Sequence, residues 1–361
     1  MRFWKGYYEE LRTYGKLVVL VSDMVVMKKG ASSDEIDRVI GKIEAAGCRA
    51  DVSRGKYKTV IGAIGDREKV ETIPFEAFSG VEKIIAISAP FKFVSREYQE
   101  RDTVVTVGSA KMGGGSFAVL AGPCSIENEE QLYEAASVVK KGGAAILRGG
   151  AFKPRSSPYS FQGLGEQGLK LLKEARKRTG LPVCTEVMDV RDLSLVAAYA
   201  DILQIGARNM QNFQLLTEVG KIRKPVLLKR SFGCTIEELL MAAEYIVKGG
   251  NKEIILCERG IRTFESAARN TLDISAIPIV RALSHLPIIV DPSHAAGKRE
   301  LVEPLSLAAL AAGADGIMVE VHPHPEDALC DGSQSLTGSG FENLMRKVHA
   351  LAGTLGKEMS G

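Results

Sequence analysis

Apolar and polar positions along the chain change their rhythm near residue 90. Over residues 117–357, short apolar runs alternate with longer segments whose apolar residues recur every three or four positions. The first run, residues 117–120, leads into Ala121-Gly122-Pro123-Cys124-Ser125-Ile126-Glu127. Seven more runs end in the same kind of chemistry: residues 146–148, 182–186, 202–208, 225–230, 254–259, 287–294 and 316–322, closing on Arg148, Glu186, Arg208, Arg230, Arg259, His294 and His322. Unbroken apolar runs suit strands buried on both faces, and the helical period between them suits helices that cover a sheet. Eight such alternations predict an α/β fold, a (β/α)8 TIM barrel, whose chemistry gathers at the C-terminal strand ends. The polar residue closing nearly every run places that chemistry on one rim, as in an enzyme.

Residues 24–90 follow another order. Met24-Val25-Val26-Met27 reads as a strand, and Ser33 as the cap of a helix over residues 34–46 with Ile36, Val39, Ile40 and Ile43 on one face. Gly47 ends that helix. Residues 49–53 and 59–64 read as strands joined around Arg54-Gly55-Lys56. A shorter helix from Asp66 towards Phe78 and a strand over residues 81–87 complete β-α-β-β-α-β, the order of a ferredoxin-like split unit. This small domain gathers no acids, bases or metal set, which leaves oligomerisation or the binding of a small regulator as its use. Residues 1–23 form an N-terminal extension in this reading. Residues 91–116 form a linker and hairpin at the barrel base: Thr103-Val104-Val105-Thr106-Val107 is one strand, Gly113-Gly114-Gly115 the turn, and residues 116–120 the return.

Composition narrows the partners. A formal charge of +3 over 361 residues argues against nucleic acid. The apolar piece Leu17-Val18-Val19-Leu20-Val21 is too short to cross a membrane and lacks a cleavage pattern behind it. Six cysteines show no repeated spacing, and Cys184 and Cys257 fall inside predicted buried strands, as reduced thiols do. A cytoplasmic enzyme without a membrane partner is expected.

The rim is rich in cations: Arg148, Lys153 and Arg155, Arg208, Lys229 and Arg230, Arg259, then Lys298 and Arg299. Cations converging at low dielectric repel strongly unless anions compensate them, so the rim expects a ligand with several negative charges. Phosphates and carboxylates suit arginine forks best. Cys124, His294, Glu320 and Asp331 follow strands one, seven and eight, which are neighbours in a closed barrel. Thiolate, imidazole and carboxylates together suit a divalent transition metal, with Mn, Fe, Co and Zn all open. His322 and His324 are rival ligands, and Cys124 is also a residue that cores use. Glu186 can orient a water or pair with a neighbouring arginine. Lys229 raises Schiff-base chemistry, weakened because Arg230 beside it points to the opposite face of a strand.

Seven stretches carry a resemblance: Gly122-Pro123-Cys124-Ser125, residues 147–156, Gly206-Ala207-Arg208-Asn209, Leu228-Lys229-Arg230, Cys257-Glu258-Arg259-Gly260, Val290-Asp291-Pro292-Ser293-His294, and residues 331–336. They resemble 3-deoxy-D-arabino-heptulosonate 7-phosphate (DAHP) synthases over residues 24–352, in the short-barrel branch with an N-terminal ferredoxin-like regulatory domain. The resemblance implies a transferase that condenses phosphoenolpyruvate with D-erythrose 4-phosphate and water, giving DAHP and phosphate, the first step of the shikimate pathway. It implies phosphoenolpyruvate at Arg148, Lys153, Arg208, Lys229 and Arg259 with the Ala207 backbone, and erythrose 4-phosphate at Lys153, Pro154, Arg155 and Ser156. It places a divalent metal on Cys124, His294, Glu320 and Asp331 and a water at Glu186; Lys153 is the acid expected to protonate the new alkoxide, with metal-bound water as the alternative. A homotetramer and feedback inhibition by tyrosine or phenylalanine through the N-terminal domain are further implications. The related 3-deoxy-D-manno-octulosonate 8-phosphate synthases typically carry Lys-Ala-Asn-Arg where this chain has Lys153-Pro154-Arg155-Ser156. Cys330 adjoins Asp331, so a Cys124–Cys330 disulfide is expected in metal-free protein left in air.

Overall fold

The architecture was obtained as a computed structural model that describes residues 21–361 apart from 56–57, 87–89 and Ser156. The chain divides into two compact units, residues 1–90 and 91–361. In the smaller, β1 (Val21–Met27), β2 (Arg49–Arg54), β3 (Thr59–Ile64) and β4 (Val81–Ala86) form an antiparallel sheet in the order β2-β3-β1-β4. Val25, Met27, Ile61 and Ala63 point from this sheet into a core shared with Val39 and Ile43 of the helix Ser33–Ala45 and with Phe75.

Local chemistry corrects the expected boundaries here. The first strand starts at Val21, because an irregularity in register between Val21 and Asp23 lets a charged residue sit within it. Ser32, not Ser33, caps the helix: its hydroxyl accepts from Glu35 N while the Glu35 carboxylate accepts from Ser32 N, and that reciprocal box needs a three-residue spacing. The second helix shrinks to one turn, Arg67–Val70, and a 3-10 turn, Phe75–Ala77, because Pro74 drives Ile73 out of helical geometry. Ile87, the expected end of the fourth strand, Lys56 and residues 1–20 lie outside the described residues.

In the larger unit, β5 (Val105–Val107) and β6 (Ala110–Met112) form a hairpin ahead of eight parallel strands. These are β7 (Ser116–Gly122), β8 (Ile146–Arg148), β9 (Val183–Glu186), β10 (Ile202–Ile205), β11 (Val226–Lys229), β12 (Ile254–Glu258), β13 (Ile288–Val290) and β14 (Gly316–Glu320). Each pairs with the next, and β14 returns to β7 with Gly316 opposite Ala118 and Glu320 opposite Gly122, so the sheet closes into a barrel. Every residue of these strands is buried. Helices follow each strand, and Asn128, Asn212, Thr235 and Thr337 cap four of them by accepting a backbone N–H three residues on.

The hairpin differs from the expected one. Its turn is at Gly108-Ser109, and Gly113, Gly114 and Gly115 instead carry the chain from β6 into β7. A Cβ on Gly113 would stand 2.2 Å from the Thr103 carbonyl oxygen, which is the approach those glycines permit. Val105, Val107, Ala110 and Met112 pack with Ala118, Ile202, Ile255 and Ile289 and seal the N-terminal mouth of the barrel. A ninth strand, β15 (Glu358–Ser360), adds in parallel to the start of β7. Among the described residues no helix is long and apolar enough to cross a membrane.

Candidate active site

The C-terminal strand ends present buried polar groups: Arg148, Glu186, Lys229, Glu258 and Glu320. Cys124 follows β7 on a turn made possible by Gly122, where a Cβ would lie 2.1 Å from the Arg148 carbonyl oxygen. The Cys124 carbonyl accepts from Gly150 N at 3.1 Å and Lys153 Nζ at 3.0 Å. His294 sits in the short helix Pro292–Ala296, capped by Asp291, whose carboxylate accepts from His294 N at 2.9 Å and meets Nδ1 at 2.8 Å. That contact turns Nε2 towards Glu320 Oε1 at 3.3 Å and Asp331 Oδ2 at 3.9 Å. Asp331 Oδ2 in turn lies 3.2 Å from Cys124 Sγ.

One donor atom from each of Cys124, His294, Glu320 and Asp331 falls within 4.8 Å of the others. This thiol, imidazole and carboxylate set fits a divalent transition metal, and the Asp291 carboxylate behind the imidazole is the support such ligands need. The Cys330 sulfur, 3.5 Å away, and burial push the Cys124 thiol up, a cost that a bound dication would reverse. Burial, the largest single influence, pushes the Asp331 and Glu320 carboxyls up, but His294 together with Arg269 at Asp331, and with Arg148 at Glu320, brings both down on balance. Both stay ionised below the usual carboxylate range. The rival histidines lie apart: His322 faces Glu127 at 3.5 Å, and His324 is exposed beside Glu326.

The cations divide into two kinds. Arg148 donates from Nη1 to the Pro123 carbonyl at 2.8 Å and to Glu320 at 3.1 Å, while its buried Nε has no acceptor. It lines a cleft with Lys153, Thr185, Glu186 and Gln204. Lys153 Nζ is 3.1 Å from Cys124 Sγ, and Lys229 is ion-paired with buried Asp291. Arg259 is buried, approaches the Phe232 ring, and has no ion pair among the described residues. Arg230 does not join the cup: Glu258 at 2.9 Å and Asp273 at 2.8 Å neutralise it. Arg299 is used by the backbone, donating to the Ser335 and Gly332 carbonyls, and Lys298 is exposed. Fewer rim charges therefore await a ligand than the sequence count suggests.

Arg208 is exposed and Ala207 half-buried on the 3-10 turn after β10. Pro154 and Arg155 are half-buried, with Arg155 Nη1 2.6 Å from Cys330 Sγ; Ser156 lies outside the described residues. Glu186 accepts from Gln204 Nε2 at 3.2 Å rather than from an arginine. Gly206 is what leaves it room, since a Cβ there would stand 2.0 Å from Glu186 Oε1.

The chain as a whole is similar to known proteins. The sequence pattern of the DAHP synthetase I family matches residues 97–354, and that of the DAHP synthase ferredoxin-like domain matches residues 24–89. The chain belongs to the DAHP synthetase I family. It is similar to the phospho-2-dehydro-3-deoxyheptonate aldolase of Thermotoga maritima, at 53% identity over 93% of this chain and 100% of that protein. A crystal structure of the Thermotoga maritima DAHP synthase superposes with a TM-score of 0.90, 52% identity, and 93% and 98% of the two chains covered. A 2-dehydro-3-deoxyphosphooctonate aldolase of Geobacter sulfurreducens is 34% identical, over 68% of this chain and 97% of its own. The protein is thus a transferase of the DAHP synthase type on a TIM barrel with a ferredoxin-like domain ahead of it.

Some site residues of this DAHP synthase escaped the reading of its sequence. Asp291 had a usable signal, an acidic cap followed by Pro292 at the first helical position and three residues before His294. Gln334 lay within a recognised stretch without an assigned part. Arg269 had no local signal, since it is 62 residues from its partner Asp331.

Proposed function

We propose that this enzyme condenses phosphoenolpyruvate with D-erythrose 4-phosphate and water, releasing phosphate and DAHP, with a divalent metal held by Cys124, His294, Glu320 and Asp331. The observation that carries the reading is the pairing of that four-donor cluster with an adjacent cleft holding Lys153 and the unmatched Arg148 Nε. A buried guanidinium nitrogen without an acceptor costs free energy until an anionic oxygen arrives. Arg148, Lys153 and Arg259 therefore bind the carboxylate and phosphate of phosphoenolpyruvate, with Lys229, Arg208 and the Ala207 backbone beside them. Pro154, Arg155 and Ser156 belong to the loop that receives the phosphorylated aldehyde with Lys153.

When bound, the metal supplies Lewis-acid polarisation of an aldehyde oxygen. Carbon 3 of phosphoenolpyruvate forms the new bond to the aldehyde carbon, and positive charge grows at carbon 2. Glu186 holds the water that adds there, and the tetrahedral centre then expels phosphate by carbon–oxygen cleavage. Burial pulls the Lys153 ammonium down, but the Cys124 and Cys330 sulfurs as thiolates, together with Glu320, raise it on balance, so the protonated group can donate to the alkoxide. Lys229 is engaged by Asp291, which suits a cation better than the free amine a Schiff base requires.

Product analysis with phosphoenolpyruvate plus either erythrose 4-phosphate or arabinose 5-phosphate tests the reading. The seven-carbon product is expected, with activity lost to a chelator and restored by Mn, Fe, Co or Zn salts. Preference for arabinose 5-phosphate defeats it, as does activity indifferent to chelation. The identity of 53% to the heptonate enzyme against 34% to an octonate enzyme, and Pro154-Arg155 in the loop, favour the shorter sugar.

The ferredoxin-like domain supports a regulatory role, with tyrosine or phenylalanine as inhibitor and a homotetramer as the assembly. A solved truncated form of the Thermotoga maritima enzyme matches 74% of this chain with a TM-score of 0.70 and 55% identity, which supports a barrel that stands by itself. Deleting residues 1–90 is expected to leave activity and abolish the response to aromatic amino acids. Inhibition that survives the deletion places the regulator elsewhere.

A further inference from the structure

We infer that Gln334 and Arg269 are positioning residues that leave each carboxylate of the cluster a single oxygen for a metal. The inference rests on the metal reading above. Glu320 is fully buried, and its two oxygens have different neighbours. Oε1 lies 3.3 Å from His294 Nε2 and 3.1 Å from Arg148 Nη1, whereas Oε2 accepts a 2.6 Å hydrogen bond from Gln334 Nε2. Asp331 is divided in the same way. Its Oδ2 lies 3.2 Å from Cys124 Sγ, and its Oδ1 accepts from Arg269 Nη2 at 2.9 Å. The two caps are joined, because Arg269 Nη1 donates to Gln334 Oε1 at 2.9 Å. Glu320, Gln334, Arg269 and Asp331 thus form one hydrogen-bonded chain around the outer oxygens. A guanidinium has only donors, so it fixes the Gln334 amide with its oxygen towards Arg269 and its NH2 towards Glu320.

The backbone that carries these groups is equally constrained. Gln334 is fully buried on the 3-10 turn Gly332–Gln334, whose flanking carbonyls Arg299 holds. Asp331 has φ 54°, in the left-handed region that non-glycine residues seldom occupy. Such strain persists where the surroundings over-determine it. Carboxylates can bind a cation through one oxygen or both. With the outer oxygens capped, four single-atom donors remain, and the coordination positions a catalytic metal needs for substrate stay open.

Cobalt(II) alone is the probe. The parent enzyme loaded with it is expected to show a sulfur-to-metal charge-transfer band that Cys124→Ala lacks. Absence of that band in the parent defeats the metal reading and the inference together. Gln334→Met keeps side-chain length and removes the donor to Glu320, and Arg269→Met frees Asp331. In each, a second carboxylate oxygen enters the coordination sphere, so the cobalt d–d bands weaken several-fold while the Cys124 band remains. Loss of stability or metal affinity with parent-like d–d bands means these residues only support the fold, and overturns the inference alone. Gln334→Glu still accepts from Arg269 but cannot donate to Glu320 as a carboxylate. It serves if Gln334→Met does not fold, with the same weakening expected and unchanged bands again overturning the inference.

Discussion

The two ends of the barrel both bury side chains deeply, and those side chains are of opposite kinds. At the base, the β5–β6 hairpin presses Val105, Val107, Ala110 and Met112 against the strand starts, a nearly hydrocarbon plug. At the rim, the same depth of burial is spent on Arg148, Lys153, Lys229, Asp291 and Glu320. Burying apolar area stabilises at roughly 25 cal/mol per Å². Burying charge is stabilising only where partners and hydrogen bonds repay the lost hydration, and often is not. The base is therefore where this fold gains stability, and the rim is where it holds ready a site for anions.

Substitutions at the two ends should separate stability from turnover. Removing the thiol with Cys124→Ala takes away one donor of the cluster; several kcal/mol of transition-state stabilisation corresponds to about a 10³-fold loss of kcat/KM, with the melting temperature of metal-free protein unchanged or raised. A variant that melts far earlier instead would make Cys124 a core residue and erase the contrast. At the base, Met112→Ala opens a cavity costing about 2–5 kcal/mol by chemical denaturation, with kcat per folded molecule close to that of the parent. A large fall in kcat there would show the plug coupled to the rim.

Oxidation sharpens the contrast further. Cys124 and Cys330 sulfurs lie 3.5 Å apart at the rim, while Cys184 and Cys257 are enclosed singly in strands. Aged metal-free protein should lose two titratable thiols, regained with a reductant, and the strand cysteines should stay reduced. Thiol counts that never fall would remove the proposed disulfide. The smallest effect belongs to His285 at the base, whose ring lies 2.9 Å from the Phe93 carbonyl and 2.8 Å from the Thr103 hydroxyl. Burial holds its pKa down, so the fold favours the neutral ring. Its contribution is complete above the unfolded-state pKa of about 6.5 and declines as pH falls below it. His285→Gln should flatten part of the denaturation midpoint's slope between about pH 7 and 5.

The barrel was legible in the sequence because continuous apolar runs and helical periodicity alternate without interruption, and because strand neighbours follow chain order. Closure then brings residues 124, 294, 320 and 331 together, so strand order could place them on one rim, while the choice of His294 over His322 and His324 rested on the family resemblance. The hairpin was misplaced because three consecutive glycines are a louder turn signal than Gly108-Ser109. The partners of the rim cations were hidden for another reason. Periodicity predicts which residues reach the rim but not which carboxylate each cation meets, so Arg230 counted among the rim cations although Glu258 and Asp273 neutralise it.

The strand that opens the barrel is also the one that waits longest. β7 takes β14 along one stretch and β15 along another, and these neighbours are made about two hundred residues after it. A growing chain thus leaves the ribosome with a mostly apolar ribbon that has β8 on one edge and lacks its mates on the other. Cooperative closure belongs to the moment after synthesis has passed residue 360, and until then Ser116–Gly122 is the segment a chaperone would be expected to shield.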